Sequence, residues 1–273
     1  AGIDELRQAV AKRYAAKYWD GYTADNVVVT CGANEAIALT LFALVDRGDE
    51  VLVADPCYPN YFGQIQAVGA SVVKVPTSEE NGFAMKAADI EKVISPKTKA
   101  IIINSPCNPT GVVMSEEDLR EVAKIDLFVL SDEPYDALVY DGVKAFSLAQ
   151  IPEVRNKVFV LNSFSKTYAM TGWRVGYVVV PDGYAVHFAH LNEGLISCIP
   201  GFIQHAAAVA LQSDECVKSM LADYTRRRDI LVDGINTIPG FSCPKPRGSF
   251  YAFCNIKAFG KTSQEFAEEL LTK

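Results

Sequence analysis

The chain has 273 residues, enough to bury most of the surface that its unfolded form would expose. Hydrophobic residues make up 49% and charged residues 22%, as is typical of a globular protein and not of a disordered or fibrous one. The 26 Lys and Arg residues against 33 Asp and Glu give a net charge of -7, the wrong sign for covering a nucleic-acid backbone. We therefore expect no nucleic-acid partner.

The seven cysteines are scattered without a CxxC pair or other metal-ligand spacing. This pattern predicts reduced, mostly buried thiols, no metal site and a cytoplasmic location. Apolar runs such as residues 177–181 are far shorter than the roughly 18 residues that cross a bilayer. Asp4, Glu5 and Arg7 stand where an export signal would be apolar, so we expect no membrane span and no export signal.

The first predicted element is an amphipathic helix with Ile3, Leu6, Val10 and Tyr14 at helical spacing. The last is a helix over residues 262–273, opened by a capping box of Thr262 and Glu265. Since the chain opens directly on one helix without a Met and closes inside another, we expect truncated termini.

From residue 27 onward, short β-branched runs alternate with helical stretches. Strands are predicted at residues 27–30, 51–54, 72–75, 100–104, 128–131, 158–162 and 175–180. Helices are predicted at 35–45, 61–68 and 115–124, the last capped by Ser115 and Asp118. This alternation predicts an α/β fold with a mostly parallel seven-stranded sheet flanked by helices, and a ligand at the carboxyl ends of the strands.

The pattern changes after Pro200. A long helical stretch through residues 221–231 is followed by a Pro- and Gly-rich passage, 239–248, and a predicted strand, 250–255. We expect a large cofactor-binding domain over residues 20–222. Residues 1–19 and 223–273 would form connecting helices and part of a smaller, incomplete α+β domain.

A lysine and an arginine lie between two predicted strands. Ser163-Phe164-Ser165-Lys166 follows one strand, and Arg174 precedes the next. On position alone such a lysine is an ordinary surface charge. A lysine whose pKa is depressed by burial, however, forms Schiff bases with aldehydes, and an arginine binds phosphate through forked hydrogen bonds. The pair predicts an aldehyde cofactor that carries a phosphate.

Asp132 directly follows the apolar strand at 128–131 and precedes Glu133, Pro134 and Tyr135. As local structure it is a turn-forming Asp before a Pro. In pyridoxal chemistry a buried anion keeps the pyridine nitrogen protonated, and that form draws electrons strongly from the substrate's α-carbon. Asp132 has the residue type and position for this role.

Asn108 and Tyr135 are candidate donors to the phenolic oxygen of such a cofactor. Asn108 lies in the run 104–111, whose Asn-Pro and Thr-Gly pairs are also ordinary turn signals. Two donors to one phenolic oxygen would favour its ionised form.

Two weaker signals lie earlier in the chain. Residues 30–34, Thr-Cys-Gly-Ala-Asn, join a strand to a helix with small residues that let backbone amides approach a phosphate, although the run matches no established phosphate-binding pattern. Tyr58 follows the strand at 51–54, where it is either a core aromatic or a ring that stacks on a flat cofactor.

Taken together, these motifs resemble those of the class I/II aminotransferases, fold type I enzymes that depend on pyridoxal 5′-phosphate. The resemblance runs along essentially the whole chain. Its most specific part is Ser163-Phe164-Ser165-Lys166 with Gly172-Trp173-Arg174-Val175-Gly176. Asn108-Pro109-Thr110-Gly111 and Asp132-Glu133-Pro134-Tyr135 are similar to two further family motifs, in the family's order.

The resemblance implies a role for each matching residue. Lys166 would hold the cofactor as a Schiff base and move the substrate's proton, with Asp132 at the pyridine nitrogen and Tyr135 acting beside them. Tyr58 would stack on the ring and Asn108 would bind the phenolic oxygen, and both are expected to contact the substrate. The phosphate cup is matched by Gly32, Ala33, Asn34, Ser163 and Arg174. The family's enzymes are homodimers, which implies a homodimer here.

The chain also departs from the family pattern. The family's substrate-side glycine and the tyrosine that reaches the partner's phosphate would precede the given residues, and its carboxylate-binding arginine would follow them. Between Ser115 and Phe128 the chain is several residues shorter than expected, with almost no loop between helix and strand.

The sequence therefore predicts an aminotransferase that moves an amino group from an α-amino acid to a 2-oxo acid in a ping-pong cycle. A lyase or synthase on the same fold shares these motifs and is an alternative. A ligand-sensing domain of a transcription regulator is a further one, although residues 166–176 look more like the enzymes. The chain contains no GxGxxG run, so a nicotinamide dehydrogenase is not indicated. The motifs do not specify the amino donor or acceptor.

Overall fold

The computed structural model of the chain describes all residues from Ala1 to Lys273. The strands are β1 (Val27–Thr30), β2 (Glu50–Asp55), β3 (Ser71–Pro76), β4 (Thr98–Asn104), β5 (Phe128–Asp132), β6 (Val158–Ser163) and β7 (Gly176–Val179). The helices are α1 (Asp4–Lys17), α2 (Ala33–Leu44), α3 (Asn60–Ala67), α4 (Ala87–Ile90), α5 (Glu116–Ala123), α6 (Phe164–Thr167), α7 (Ala185–Ile196), α8 (Gly201–Ala210), α9 (Asp214–Asn236) and α10 (Ser263–Thr272).

All seven strands form one open sheet in the order β1-β7-β6-β5-β4-β2-β3. The strands from β6 to β3 in this order pair in parallel, whereas β7 is antiparallel to both β1 and β6. Six strands therefore run in one direction and end at one edge. The predicted α/β class and mostly parallel seven-stranded sheet are confirmed.

Helices cover both faces of the sheet because its strands are apolar on both sides. On one face, α2, α3 and α7 pack through residues such as Leu39, Ile65 and Phe188. On the other, α1, α5 and α8 pack through residues such as Leu6 and Ala207. Side chains that alternate along each strand belong to these two separate clusters, which fixes the register of the sheet.

The predicted helix starts agree with the observed caps. Ser115 accepts a hydrogen bond from the Asp118 backbone at the start of α5, and Thr262 and Glu265 form the predicted capping box of α10. Only residues 124–127 separate α5 from β5, so the short connection expected there is present.

Residues 250–255 do not form the predicted strand. The segment around them makes only single bridges, Val139 to Gly248 and Ser242 to Asn255. Ser249 has a φ of +58°, which interrupts an extended backbone just before the predicted start. The aromatic residues of this segment favour a strand by composition, but the segment pairs with no neighbouring strand.

The prediction that the cysteines are mostly buried is also wrong. Cys107 and Cys243 are buried, whereas Cys198 and Cys216 are exposed and the other three are half-buried. Cys216 lies on α9, a helix that buries few of its side chains, which explains its exposure. All seven are free thiols.

The division into domains at residues 222 and 223 stays a prediction. Helix α9 runs through this position without interruption. Helix α1 packs on the sheet through Leu6, Val10 and Tyr14, which belong to the same apolar cluster as the strands. No helix combines the length and the apolar composition needed to cross a membrane.

Candidate active site

A cavity of about 190 Å³ opens at the edge where the parallel strands end. The loops after β4, β5 and β6 and the first turn of α2 supply most of its wall. Nine of the ten residues singled out by the sequence line it, namely Ala33, Asn34, Tyr58, Asn108, Asp132, Tyr135, Ser163, Lys166 and Arg174. The tenth, Gly32, lies directly behind Arg174. Residues far apart in the sequence thus meet at one place, as expected for the carboxyl edge of such a sheet.

The carboxylate of Asp132 is buried at the end of β5. Its Oδ2 accepts a hydrogen bond from the Tyr61 hydroxyl at 2.5 Å, while its buried Oδ1 has no hydrogen-bond partner. Burial raises the pKa of Asp132 to about 7, against the opposing effect of the Tyr61 hydrogen bond. Because a buried, unpaired carboxylate oxygen is unfavourable, this atom fits a cationic N–H donor brought by a ligand.

Asn104 connects the loops of two neighbouring strands. Its Nδ2 donates to the Asp132 carbonyl at 2.9 Å, and its Oδ1 accepts from the Asn108 backbone N–H at 2.7 Å. The position of Asn108 relative to Asp132 is therefore set by one intervening side chain. Sequence analysis assigned Asn104 no such role, because its sequence context matches an ordinary turn.

Three polar groups meet on the other side of the cavity. Asn108 Nδ2 donates to the Tyr251 hydroxyl at 3.0 Å, and the hydroxyls of Tyr135 and Tyr251 are 3.1 Å apart. The proposed phenolic-oxygen donors, Asn108 and Tyr135, thus both contact the hydroxyl of Tyr251. Sequence analysis missed Tyr251 because it lies in no recognised motif and within a stretch predicted as a strand.

Lys166 lies in the short helix α6, and its side chain is partly buried. Its ammonium group is 5.2 Å from the centre of the Phe250 ring. Burial and, to a smaller extent, the positive charge of Arg174 lower the pKa of Lys166, and no carboxylate offsets them. Both effects increase the fraction of the neutral, nucleophilic amine.

Arg174 lies against Cys31 and Gly32, which directly precede α2. Its guanidinium donates to the Thr171 carbonyl at 3.0 Å and to the Cys31 carbonyl at 3.2 Å. Gly32 has a φ of +78°, and a Cβ there would lie 2.6 Å from Arg174 Nη2. The glycine is therefore required both by the backbone conformation and by the close approach of the arginine.

Ser163 completes this side of the cavity by capping α6, where its Oγ accepts from the Ser165 backbone N–H at 3.0 Å. Together with the N-terminal amides of α2 at Ala33 and Asn34, the arginine creates a positively polarised corner of the cavity. Such a corner suits a phosphate dianion.

The ring of Tyr58 is held from two sides. Its hydroxyl accepts from Asn60 Nδ2 at 2.7 Å and lies 3.4 Å from Asn34 Oδ1, to which it donates. Its ring packs edge to face with Tyr61 at a centroid separation of 5.5 Å. Tyr61 therefore supports both the aromatic wall and Asp132, a double role that no sequence motif indicated.

The neighbouring carboxylate of Glu133 is also buried but does not line the cavity. Its Oε1 accepts from the hydroxyls of Ser131 and Ser147, both at 2.7 Å. Burial raises the pKa of Glu133 to about 7. Because its partners are internal hydroxyls, Glu133 is a structural carboxylate, in contrast to the ligand-facing Asp132.

The family model of class I and II aminotransferases matches residues 1–273 of the chain. The chain is 39% identical to aromatic-amino-acid aminotransferase 2 of Thermococcus litoralis and to aspartate aminotransferase of Pyrococcus abyssi, covering 99% of this chain and 71% of each relative. It superimposes with a TM-score of 0.95 on the aromatic aminotransferase from Pyrococcus horikoshii, at 36% identity, covering 99% of this chain and 74% of that one.

These relatives, the fold and the cavity at the edge of the α/β sheet identify an enzyme that acts on amino and 2-oxo acids. The chain belongs to the class I and II aminotransferases. The predicted aminotransferase activity is thereby confirmed, and neither the lyase or synthase nor the regulator alternative is favoured by these relatives. The family uses pyridoxal 5′-phosphate.

Proposed function

We propose that this cavity binds pyridoxal 5′-phosphate. With this cofactor the enzyme would transfer an amino group from an α-amino acid to a 2-oxo acid in a ping-pong cycle. The observation that carries the proposal is the unpaired, buried Oδ1 of Asp132 on the same cavity wall as an amine, Lys166, whose pKa is lowered. When bound, the cofactor supplies the aldehyde that takes up the amino group and the electron-withdrawing ring that acidifies the substrate's α-hydrogen.

Each side chain has a distinct task in this proposal. Asp132 Oδ1 would accept from the protonated ring nitrogen, while Tyr61 holds the other oxygen of the carboxylate in place. Asn108 and Tyr135 would donate to the phenolic oxygen, and Tyr58 would stack on the ring. The phosphate would be bound by Gly32, Ala33, Asn34, Ser163 and Arg174.

Lys166 performs the acid–base work. Its Nζ would hold the cofactor's aldehyde, and as a neutral amine it would take up the substrate's α-proton. The lowered pKa favours this form. Tyr58 and Asn108, which also line the cavity, are proposed to contact the substrate as well.

We propose aspartate and aromatic amino acids as the candidate amino donors. The relatives named for aspartate and for aromatic amino acids are equally similar to this chain, at 39% identity each. The experiment is to load the protein with pyridoxal 5′-phosphate and add L-aspartate or L-phenylalanine in the absence of an acceptor. We expect conversion of the cofactor to its aminated form with release of one equivalent of 2-oxo acid. Release of ammonia without an aminated cofactor would contradict the proposal and favour a lyase.

We also propose a cytoplasmic homodimer. Leu195, Ile196 and Phe202 on and after α7 are exposed, with 72% of Phe202 accessible, and a partner subunit would cover such apolar side chains. The all-thiol state of the cysteines is compatible with a reducing compartment. Light scattering of the purified protein tests the dimer, because a monomer mass at micromolar concentration would contradict it.

A further inference from the structure

Two cysteines face each other across the bridge that joins Ser242 and Asn255. These two residues exchange both backbone hydrogen bonds, Ser242 N–H to Asn255 O at 3.2 Å and Asn255 N–H to Ser242 O at 2.7 Å. The next residues inward, Cys243 and Cys254, take the positions that form a non-hydrogen-bonded pair in an antiparallel ladder. In such pairs the Cα atoms are about 4.5 Å apart and the side chains lie close together.

This separation falls in the range of roughly 4.4 to 6.8 Å that a disulfide spans. Both cysteines are free thiols, Cys243 buried and Cys254 half-buried. Burial, and to a smaller extent the neighbouring Cys254 thiol, raise the pKa of Cys243 to about 11.

Both backbones are anchored, so the pair is held in position. Cys243 donates from its N–H to Asn236 Oδ1 at 2.8 Å and accepts at its carbonyl from Asn236 Nδ2 at 3.1 Å. On the other side, Asn255 Nδ2 donates to Glu79 Oε2 at 2.7 Å. A bond between the sulfurs would close a short loop that contains Tyr251, the residue that contacts Asn108 and Tyr135 in the cavity.

We propose that Cys243 and Cys254 are the site of a reversible disulfide that forms by exchange with a small-molecule disulfide such as oxidised glutathione. The half-buried Cys254, as its thiolate, attacks one sulfur of oxidised glutathione and displaces a glutathione thiolate. Cys243 then loses its proton to solvent and attacks the Cys254 sulfur, which displaces the second glutathione. Two protein thiols are oxidised, and one glutathione disulfide is reduced to two thiols.

The experiment equilibrates the protein with oxidised glutathione, blocks the remaining thiols with an alkylating reagent under denaturing conditions and digests with trypsin. Arg247 lies between the two cysteines, so trypsin separates them unless they are bonded. We expect a linked pair of peptides containing Cys243 and Cys254, a fall from seven alkylatable thiols to five, and full reversal by dithiothreitol.

Two variants and a matched control decide the assignment. Cys254→Ser and Cys243→Ser should each abolish the linked peptides, and the half-buried Cys254 position keeps the test valid if the buried one does not tolerate serine. Cys216→Ser, which removes an exposed cysteine on α9, should leave the linkage intact. The proposal is overturned if Cys254 keeps a glutathione adduct while Cys243 remains alkylatable, or if either cysteine bonds to another one instead.

Discussion

The Tyr61 hydroxyl binds one oxygen of the Asp132 carboxylate at 2.5 Å and leaves the other oxygen, equally buried, without a partner. The carboxylate is therefore oriented before any ligand binds, and its Oδ1 is left to accept a hydrogen bond from the ligand. Preorganisation of this kind reduces the reorganisation that ligand binding and catalysis would otherwise require.

Asp132→Asn should lower the rate of the half-reaction with an amino donor by on the order of 10²- to 10³-fold, the loss typical of removing one preorganised electrostatic partner. The amide cannot stabilise a positive charge on the ring nitrogen, although it fills the same volume. Stopped-flow absorbance of the cofactor measures the rate. Asp126→Asn, a change at a fully exposed side chain, serves as the control and should leave the rate unchanged. A near-normal rate in Asp132→Asn would refute the pairing.

Lys166→Ala should abolish covalent retention of pyridoxal 5′-phosphate, because no other lysine lines the cavity. The measurement is borohydride reduction followed by peptide mass analysis, with Lys92→Ala, at an exposed side chain, as the control. We expect the reduced adduct on the peptide of residue 166 in the wild type and in the control, and on no single site in Lys166→Ala. A stoichiometric adduct at another lysine would show that the assignment is wrong.

Arg174→Ala should weaken the binding of pyridoxal 5′-phosphate by about 2 kcal/mol, or about 30-fold in Kd, because it removes a charged hydrogen-bond donor to the phosphate. Pyridoxal, which lacks the phosphate, provides the matched control ligand. We expect equilibrium titration to give similar pyridoxal affinities for the wild type and the variant. An equal loss for both ligands would assign Arg174 to general structural support and not to phosphate binding.

The cofactor-free protein should lose stability as the pH rises from about 4 to about 7. Burial raises the pKa of both Asp132 and Glu133 to about 7, above the unfolded values near 4. In this window the folded state binds more protons than the unfolded state, so each group lowers the free energy of unfolding by about 1.4 kcal/mol per pH unit. Urea unfolding between pH 5 and 7.5 measures the slope.

Glu133→Gln separates this effect from the active site, because Glu133 does not line the cavity. The variant should show a slope smaller by the contribution of one proton while it retains cofactor binding. If the slope of the variant equals that of the wild type, Glu133 is already ionised in the folded protein at pH 5.

The sequence was sufficient to predict all seven strands of the sheet and the edge at which the parallel strands end, because each strand is a short apolar run bounded by turn residues. It also singled out Lys166, Asp132 and Asn108 as candidate site residues, because they lie in motifs with a chemical rationale. Their assignment as site residues stays a prediction, although nine of the ten proposed residues line one cavity.

The supporting residues could not be predicted in the same way. Tyr61 supports Asp132 from a position 71 residues away, and no local pattern encodes a contact of that kind. Tyr251 reaches the cavity because Ser249 turns the backbone with a φ of +58°, whereas β-rich composition favoured a strand there. In both cases the decisive information is tertiary.

The antiparallel course of β7 has a consequence for the order of assembly. Because the chain reverses direction after β6, Lys166 and Arg174 are joined by a local turn with a small entropy of loop closure. The contact of Tyr61 with Asp132 requires a much longer loop to close and therefore raises the contact order of the site. We therefore expect a folding chain to bring its two cationic residues together early, and to orient the Asp132 carboxylate only after the more distant strands have paired.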